Sequence, residues 1–208
     1  MGSVLDAPET PQNTSLHQPY NQNNSMIHEV NKNSNSEINT LLRTDDLIPL
    51  IEMDDVAELD RRSYNLEELA TLRFAKDMNI LNLAIDKEAV KIVQHLARKL
   101  KGKETLKNQL LYYRYNKHGI TSVHQVMATG NKAILEAVLI EMEADQEVSL
   151  EDGNKLVHCA AQFYEGFLPL LFLIEKFNVD LDARDAAQGS ALHFAVTEGE
   201  HKNVELLI

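Results

Sequence analysis

Apolar residues along most of this chain recur at helical rather than strand spacing. From Asp45 onward, Leu47, Ile48, Leu50 and Ile51 are followed by Val56 and Leu59, which places one apolar face on helical segments. Pro49 lies inside that run and is expected to kink or interrupt it, because proline lacks the N–H that a helix interior uses. A further helix is expected to begin at Asn65, whose side chain can accept a free N–H. Glu67 and Glu68 would lie in its first turn and Leu66, Leu69, Leu72 and Phe74 on its apolar side. Arg73 breaks that stripe. Between Asn79 and Ile208 no stretch alternates apolar and polar residues over strand length, so the region reads as short helices. Residues 1–44 have the opposite character. They are rich in Asn, Gln, Ser and Pro and cannot bury enough apolar surface to offset the entropy of ordering. The expected organisation is a disordered tail over 1–44, a helical lead-in over 45–78 and an all-α domain over 79–208.

The helical domain repeats itself. Gly119-Ile120-Thr121-Ser122-Val123-His124 is echoed by Gly153-Asn154-Lys155-Leu156-Val157-His158. A third copy is Gly189-Ser190-Ala191-Leu192-His193, with the glycine one place closer to its histidine. The histidines lie 34 and 35 residues apart. A weaker copy upstream, Asn79-Ile80-Leu81-Asn82-Leu83-Ala84, carries Asn82 in the histidine position and Glu88 where Gly130 and Gly199 follow the later histidines. Asn82 and His124 are 42 residues apart, so a surface insertion of about nine residues is expected in the connection Lys101 to Tyr115. The units are then 79–115, 116–149, 150–184 and 185–208.

These motifs resemble the ankyrin repeat, a unit of about 33 residues with a Thr-Pro-Leu-His-x-Ala signature. Leu192-His193-Phe194-Ala195 and His158-Cys159-Ala160-Ala161 carry the likeness most closely, and Phe177 to Asp185 is similar to the hairpin joining one unit to the next. In the second copy Val126 and Met127 replace the usual alanines, and in the third Gln162 to Gly166 lengthens the interhelical break. The resemblance implies a solenoid of helix-turn-helix units with short β-turn hairpins, in which each unit covers an apolar face of its neighbour. Small Ala160, Ala161 and Ala195 would let helices approach, while Leu81, Val123, Val157 and Leu192 fill the core between units. Val204 to Ile208 would stop inside a second helix, so the last unit is expected to be incomplete.

Composition narrows the functional classes. With 20 Lys and Arg against 32 Asp and Glu, the formal charge of −12 opposes general affinity for nucleic acid or anionic lipid. One cysteine, Cys159, and no Cys-x-x-Cys pair suit a reducing intracellular, cytoplasmic setting. The longest apolar run, Phe167 to Ile174, is far below the ~20 residues that cross a bilayer. No Gly-x-Ser-x-Gly or phosphate-loop pattern is present, so neither a catalytic nor a cofactor site is expected. Nor is a metal site: histidines at equivalent positions of stacked units stand about 10 Å apart, too far to share one ion. Their expected role is to tie one unit's turn to the next. The segment 91–117 holds eight Lys and Arg against Glu104 alone, which makes Lys99, Lys101 and Lys103 a candidate contact for an acidic partner.

Ankyrin stacks bind other proteins through hairpin tips and the exposed side of their first helices, so the resemblance implies a protein-protein interaction scaffold. Mapped onto this chain, the candidate partner-binding residues are Gln125, Ala128 and Thr129, then Cys159, Gln162 and Phe163, then Phe194, Thr197 and Glu198. Phe163 and Phe194 are the expected aromatic anchors. The alternative is the cytosolic N-terminal part of a larger membrane enzyme, a palmitoyltransferase of the Asp-His-His-Cys type, or of an ion channel.

Overall fold

The computed structural model describes residues 44–62 and 64–208. The tail expected over 1–44 lies, apart from Thr44, outside them. Helix α1 covers 44–52 and continues through Pro49, contrary to expectation. It stops instead at Asp54, whose left-handed backbone (φ 53°) cannot extend a right-handed helix. Helices α2 (Val56–Arg61) and α3 (Leu66–Thr71) follow, and Asn65 caps α3 by accepting the Glu68 N–H at 2.6 Å.

Four helix pairs then succeed one another. Helix α4 (Ile80–Asp86) pairs with α5 (Val90–Leu100). After helix α6 (Glu104–Leu111), α7 (Ser122–Gln125), extended by a 3-10 turn at Val126–Ala128, pairs with α8 (Lys132–Leu135), extended by a π-helical turn at Glu136–Glu141. Helix α9 (Leu156–Gln162) pairs with α10 (Phe167–Lys176), and α11 (Ala191–Glu198) with α12 (His201–Leu207). The first helices touch in the order α4, α7, α9, α11, and the second helices in the order α5, α8, α10, α12. Two helical layers result, with the core between them. No strand occurs among the described residues, only isolated bridges joining Tyr115 to Ile120 and Ser149 to Lys155.

Packing explains the order. Leu81, Ile85, Val123, Met127, Leu156 and Ala160 are buried along the first layer, and Ile92, Leu96, Ile134 and Leu170 along the second. At the last junction Val157, Ala161, Ala191 and Ala195 form a small separate cluster, where alanines let α9 and α11 approach closely.

The expected surface insertion is instead part of the core. Helix α6 buries Leu110 and Leu111 completely and packs against α3, α4, α5 and α7. Its Lys107 is buried and held by Glu104 at 2.7 Å. The Leu110 carbonyl accepts from Asn79 Nδ2 (2.8 Å) and Ser122 Oγ (2.9 Å), so this helix joins the starts of α4 and α7. Arg73, the residue that broke the apolar stripe, lies 4.0 Å above the Tyr113 ring just beyond α6.

Candidate functional site

Each first helix starts with the same local device. The third helical residue, Asn82, His124, His158 or His193, reaches back to the cap residue Asn79, Thr121, Lys155 or Ser190. At His158 the Lys155 N–H donates to Nδ1 (2.9 Å), which leaves the proton on Nε2 to donate to the Ala183 carbonyl (3.0 Å) in the following turn. Asn82 makes the corresponding link with Nδ2, donating to Ser122 Oγ (2.8 Å) and Gln125 Oε1 (3.1 Å). His124 Nδ1 accepts from the Thr121 hydroxyl (2.7 Å); its imidazole also interacts with the Val148 backbone in the following turn, although Nε2 makes no close hydrogen bond. Burial, followed by the positive charge of Arg114, depresses this imidazole to a pKa of about 4.

The turns before these helices settle the offset glycine. Five residues ahead of each histidine the backbone is left-handed: Gly119 (φ 65°), Gly153 (φ 82°) and Gln188 (φ 66°). The geometry is therefore constant, and in the last copy a glutamine adopts it. Gly189 is glycine for a different reason: a Cβ there would stand 3.2 Å from both Asp185 carboxylate oxygens and 3.3 Å from the Phe194 ring.

Between α4, α7 and α9 lies a concave pocket of about 310 Å³. Position four after the cap-linked residue contributes from three successive copies: Asp86, Ala128 and Gln162 all line it. Six of the nine expected residues meet there, namely Gln125, Ala128, Thr129, Cys159, Gln162 and Phe163. Their individual positions differ. Ala128 is exposed, Gln162 and Phe163 are half-buried, and Gln125 is engaged internally by donating to the Asn82 carbonyl (3.0 Å). Thr129 is buried and donates its hydroxyl to Val126 (3.1 Å). Cys159 is 3% exposed, and burial pushes its thiol up to about 12. Sequence reasoning missed Ile85, Asp86, Glu88, Tyr115, Ile120, His124 and Leu150. Applying the same offset to Asn82 reaches Asp86 directly.

The remaining three residues lie outside this pocket. Thr197 and Glu198 are exposed on the last turn of α11. Phe194 is half-buried and packs edge-on against His158, with ring centroids 5.6 Å apart, so it shields the histidine tie. Among the candidate basic residues, Lys99 lies 3.4 Å from Asp60, whereas Lys101 and Lys103 are exposed beside Gly102. A second depression of about 470 Å³ lies between Tyr164–Leu168 and Gly199–Asn203. Within it the buried Asn203 Nδ2 donates to the Ala161 carbonyl (3.0 Å), completing the end of α9 where the lengthened break leaves carbonyls free.

Among the described residues no group of three His, Cys, Asp or Glu could hold a metal ion, and no helix is long and apolar enough to cross a membrane. No protein-family model matches the chain, and no curated protein matches it significantly.

Proposed function

We propose that this chain is an ankyrin-type stack of helix pairs that binds another protein, with the pocket between α4, α7 and α9 as the docking point. The observation that carries this reading is the convergence of equivalent positions. Asp86, Ala128 and Gln162, each four residues beyond a cap-linked side chain, line one cavity although they are far apart in sequence. Mostly apolar concave walls with a few polar groups are the usual setting of a binding site. Ile85, Ile120, Leu150 and Phe163 supply the apolar walls and Gln162 a polar group, while the Gln125 amide is held by Asn82. The consecutive contacts of first and second helices, and the turn-to-turn tie at His158, support the ankyrin part of the proposal.

The test blocks the pocket without touching the core. Ala128 is an exposed lining residue, so Ala128→Tyr fills the mouth while circular dichroism and melting stay close to wild type. Proximity labelling with both forms should then lose the specific partner set from the variant. An unchanged set around a folded variant would show that binding occurs elsewhere.

A further inference from the structure

The charges lining the pocket are one-sided. Asp86 and Glu88 are exposed carboxylates at its edge. The other titratable lining groups are uncharged at neutral pH: burial keeps His124 deprotonated, Tyr115 protonated and Cys159 a thiol. Three cations lie close by: Lys87 is taken by Glu52 at 3.0 Å and Lys132 by Glu136 at 3.7 Å, while Arg114, near enough to act on His124, donates to the Gly119 (3.3 Å) and Ser149 (3.1 Å) carbonyls. Glu165 adds a further acid beside Glu88, across a neighbouring depression that also contains Lys132. Beneath this rim the walls are apolar, and the space suits one large side chain rather than a folded surface.

Resting on the docking reading above, we infer that the pocket takes a peptide segment of a partner protein in which one large apolar side chain is flanked by Lys or Arg. The apolar group fills the space between Ile85, Leu150 and Phe163, and the cation sits over Asp86 and Glu88. Charge complementarity selects this occupant over the chain's own first 43 residues. That segment carries Lys32 and Arg43 against Asp6, Glu9, Glu29 and Glu37, a balance of −2 (2 minus 4). Glu88 also provides a clean probe. It has a left-handed backbone (φ 50°) that glycine adopts more readily, so Glu88→Gly removes the charge while relieving the fold.

The experiment measures fluorescence anisotropy of short labelled peptides with a central Phe or Leu, flanked by Arg and Lys, by Ser, or by Glu, against the full chain. The basic peptides are expected to bind best and to weaken as NaCl is raised. The double variant Asp86→Asn with Glu88→Gly should lower their affinity about three- to thirtyfold, the range for losing two exposed ion pairs, with no fall in melting temperature. Equal binding of basic and acidic peptides, undiminished affinity of the double variant, or no binding of any peptide would overturn the inference. Ala128→Tyr separates it from the docking reading. If that block abolishes binding while flanking charge and the double variant make no difference, docking stands and the cationic partner falls. If the chain instead self-associates in a way the double variant abolishes, the occupant is the basic 91–117 segment of a second copy, and the partner-peptide inference fails.

Discussion

Helix α5 has no cap of its own, and replacing Asp54 should reveal how much a borrowed one contributes. The cap residue Ala89 has no side chain that can accept a hydrogen bond. The carboxylate of Asp54, more than thirty residues earlier, accepts the Lys91 N–H at 2.9 Å and the Ile92 N–H at 2.8 Å instead. These are the second and third helical N–H groups, the ones an N-cap side chain ordinarily satisfies, so losing both should cost about 1–2 kcal/mol. Asp54 holds this position with φ 53°, where alanine is less tolerant than aspartate and glycine is relaxed. Asp54→Ala therefore loses the cap and adds strain, for a total of about 2–3 kcal/mol. Asp54→Gly loses the cap but relieves strain, and Asp54→Asn keeps one acceptor without the charge, so both should cost about 0.5–1 kcal/mol. In a chain of this size the alanine variant should melt about 5–10 °C lower. Urea and thermal denaturation followed by circular dichroism read the series directly. A glycine variant more stable than wild type would mean that strain outweighs the cap. An alanine variant as stable as wild type would mean that the two hydrogen bonds carry no net stability.

Other expectations concern individual groups. His124 is depressed from 6.5 to about 4 by burial, so the unfolded chain takes up its proton first as pH falls. The stability due to its neutral form is complete above pH 6.5 and is lost between 6.5 and about 4, up to about 3 kcal/mol. His95, lowered chiefly by burial, adds in the same direction, so His124→Gln should flatten but not abolish the fall in urea midpoint over that range. Gln188→Gly should raise stability by about 0.5–1 kcal/mol, since φ 66° favours glycine; a fall in melting temperature would show that the glutamine side chain holds the turn. Cys159, buried and with its thiol pushed up to about 12, should react with a thiol reagent at pH 7 only on the unfolding timescale. Rapid labelling of native protein would show that the pocket opens to the sulfur.

Much of the fold was legible because its signals are local. Asn65, Thr121 and Ser190 show their capping chemistry in the sequence, and the histidine spacing marks where each first helix begins. The glycine motif misled by one place because Gln188, a residue with no preference for a left-handed backbone, adopts the position that glycine fills in the two preceding copies. Helix α6 was read as a surface connection because eight residues with Leu106, Leu110 and Leu111 make a weak apolar pattern. Its burial comes from docking against α3, α4 and α7, which no local window reports. Gln125 shows the same limit: it looks like a surface glutamine, yet its partner Asn82 is 43 residues away.

Some departures from the repeat pattern meet at the pocket, while others, such as Gln188 in the turn before α11, lie elsewhere. Asn82 replaces histidine and recruits Gln125; Glu88 occupies a left-handed backbone; and His124 Nε2 makes no close hydrogen bond. Gln125, Glu88 and His124 line the pocket, and Asn82 is hydrogen-bonded to Gln125. By contrast, His158 completes its tie to the following turn with a full set of partners. Comparable local costs occur away from the pocket, at the buried Asn203 Oδ1 and the left-handed Gln188, so they mark strain and not binding by themselves. Glu88→Gly removes charge and strain together whereas Glu88→Gln removes the charge alone, so the pair of substitutions separates the two at this surface.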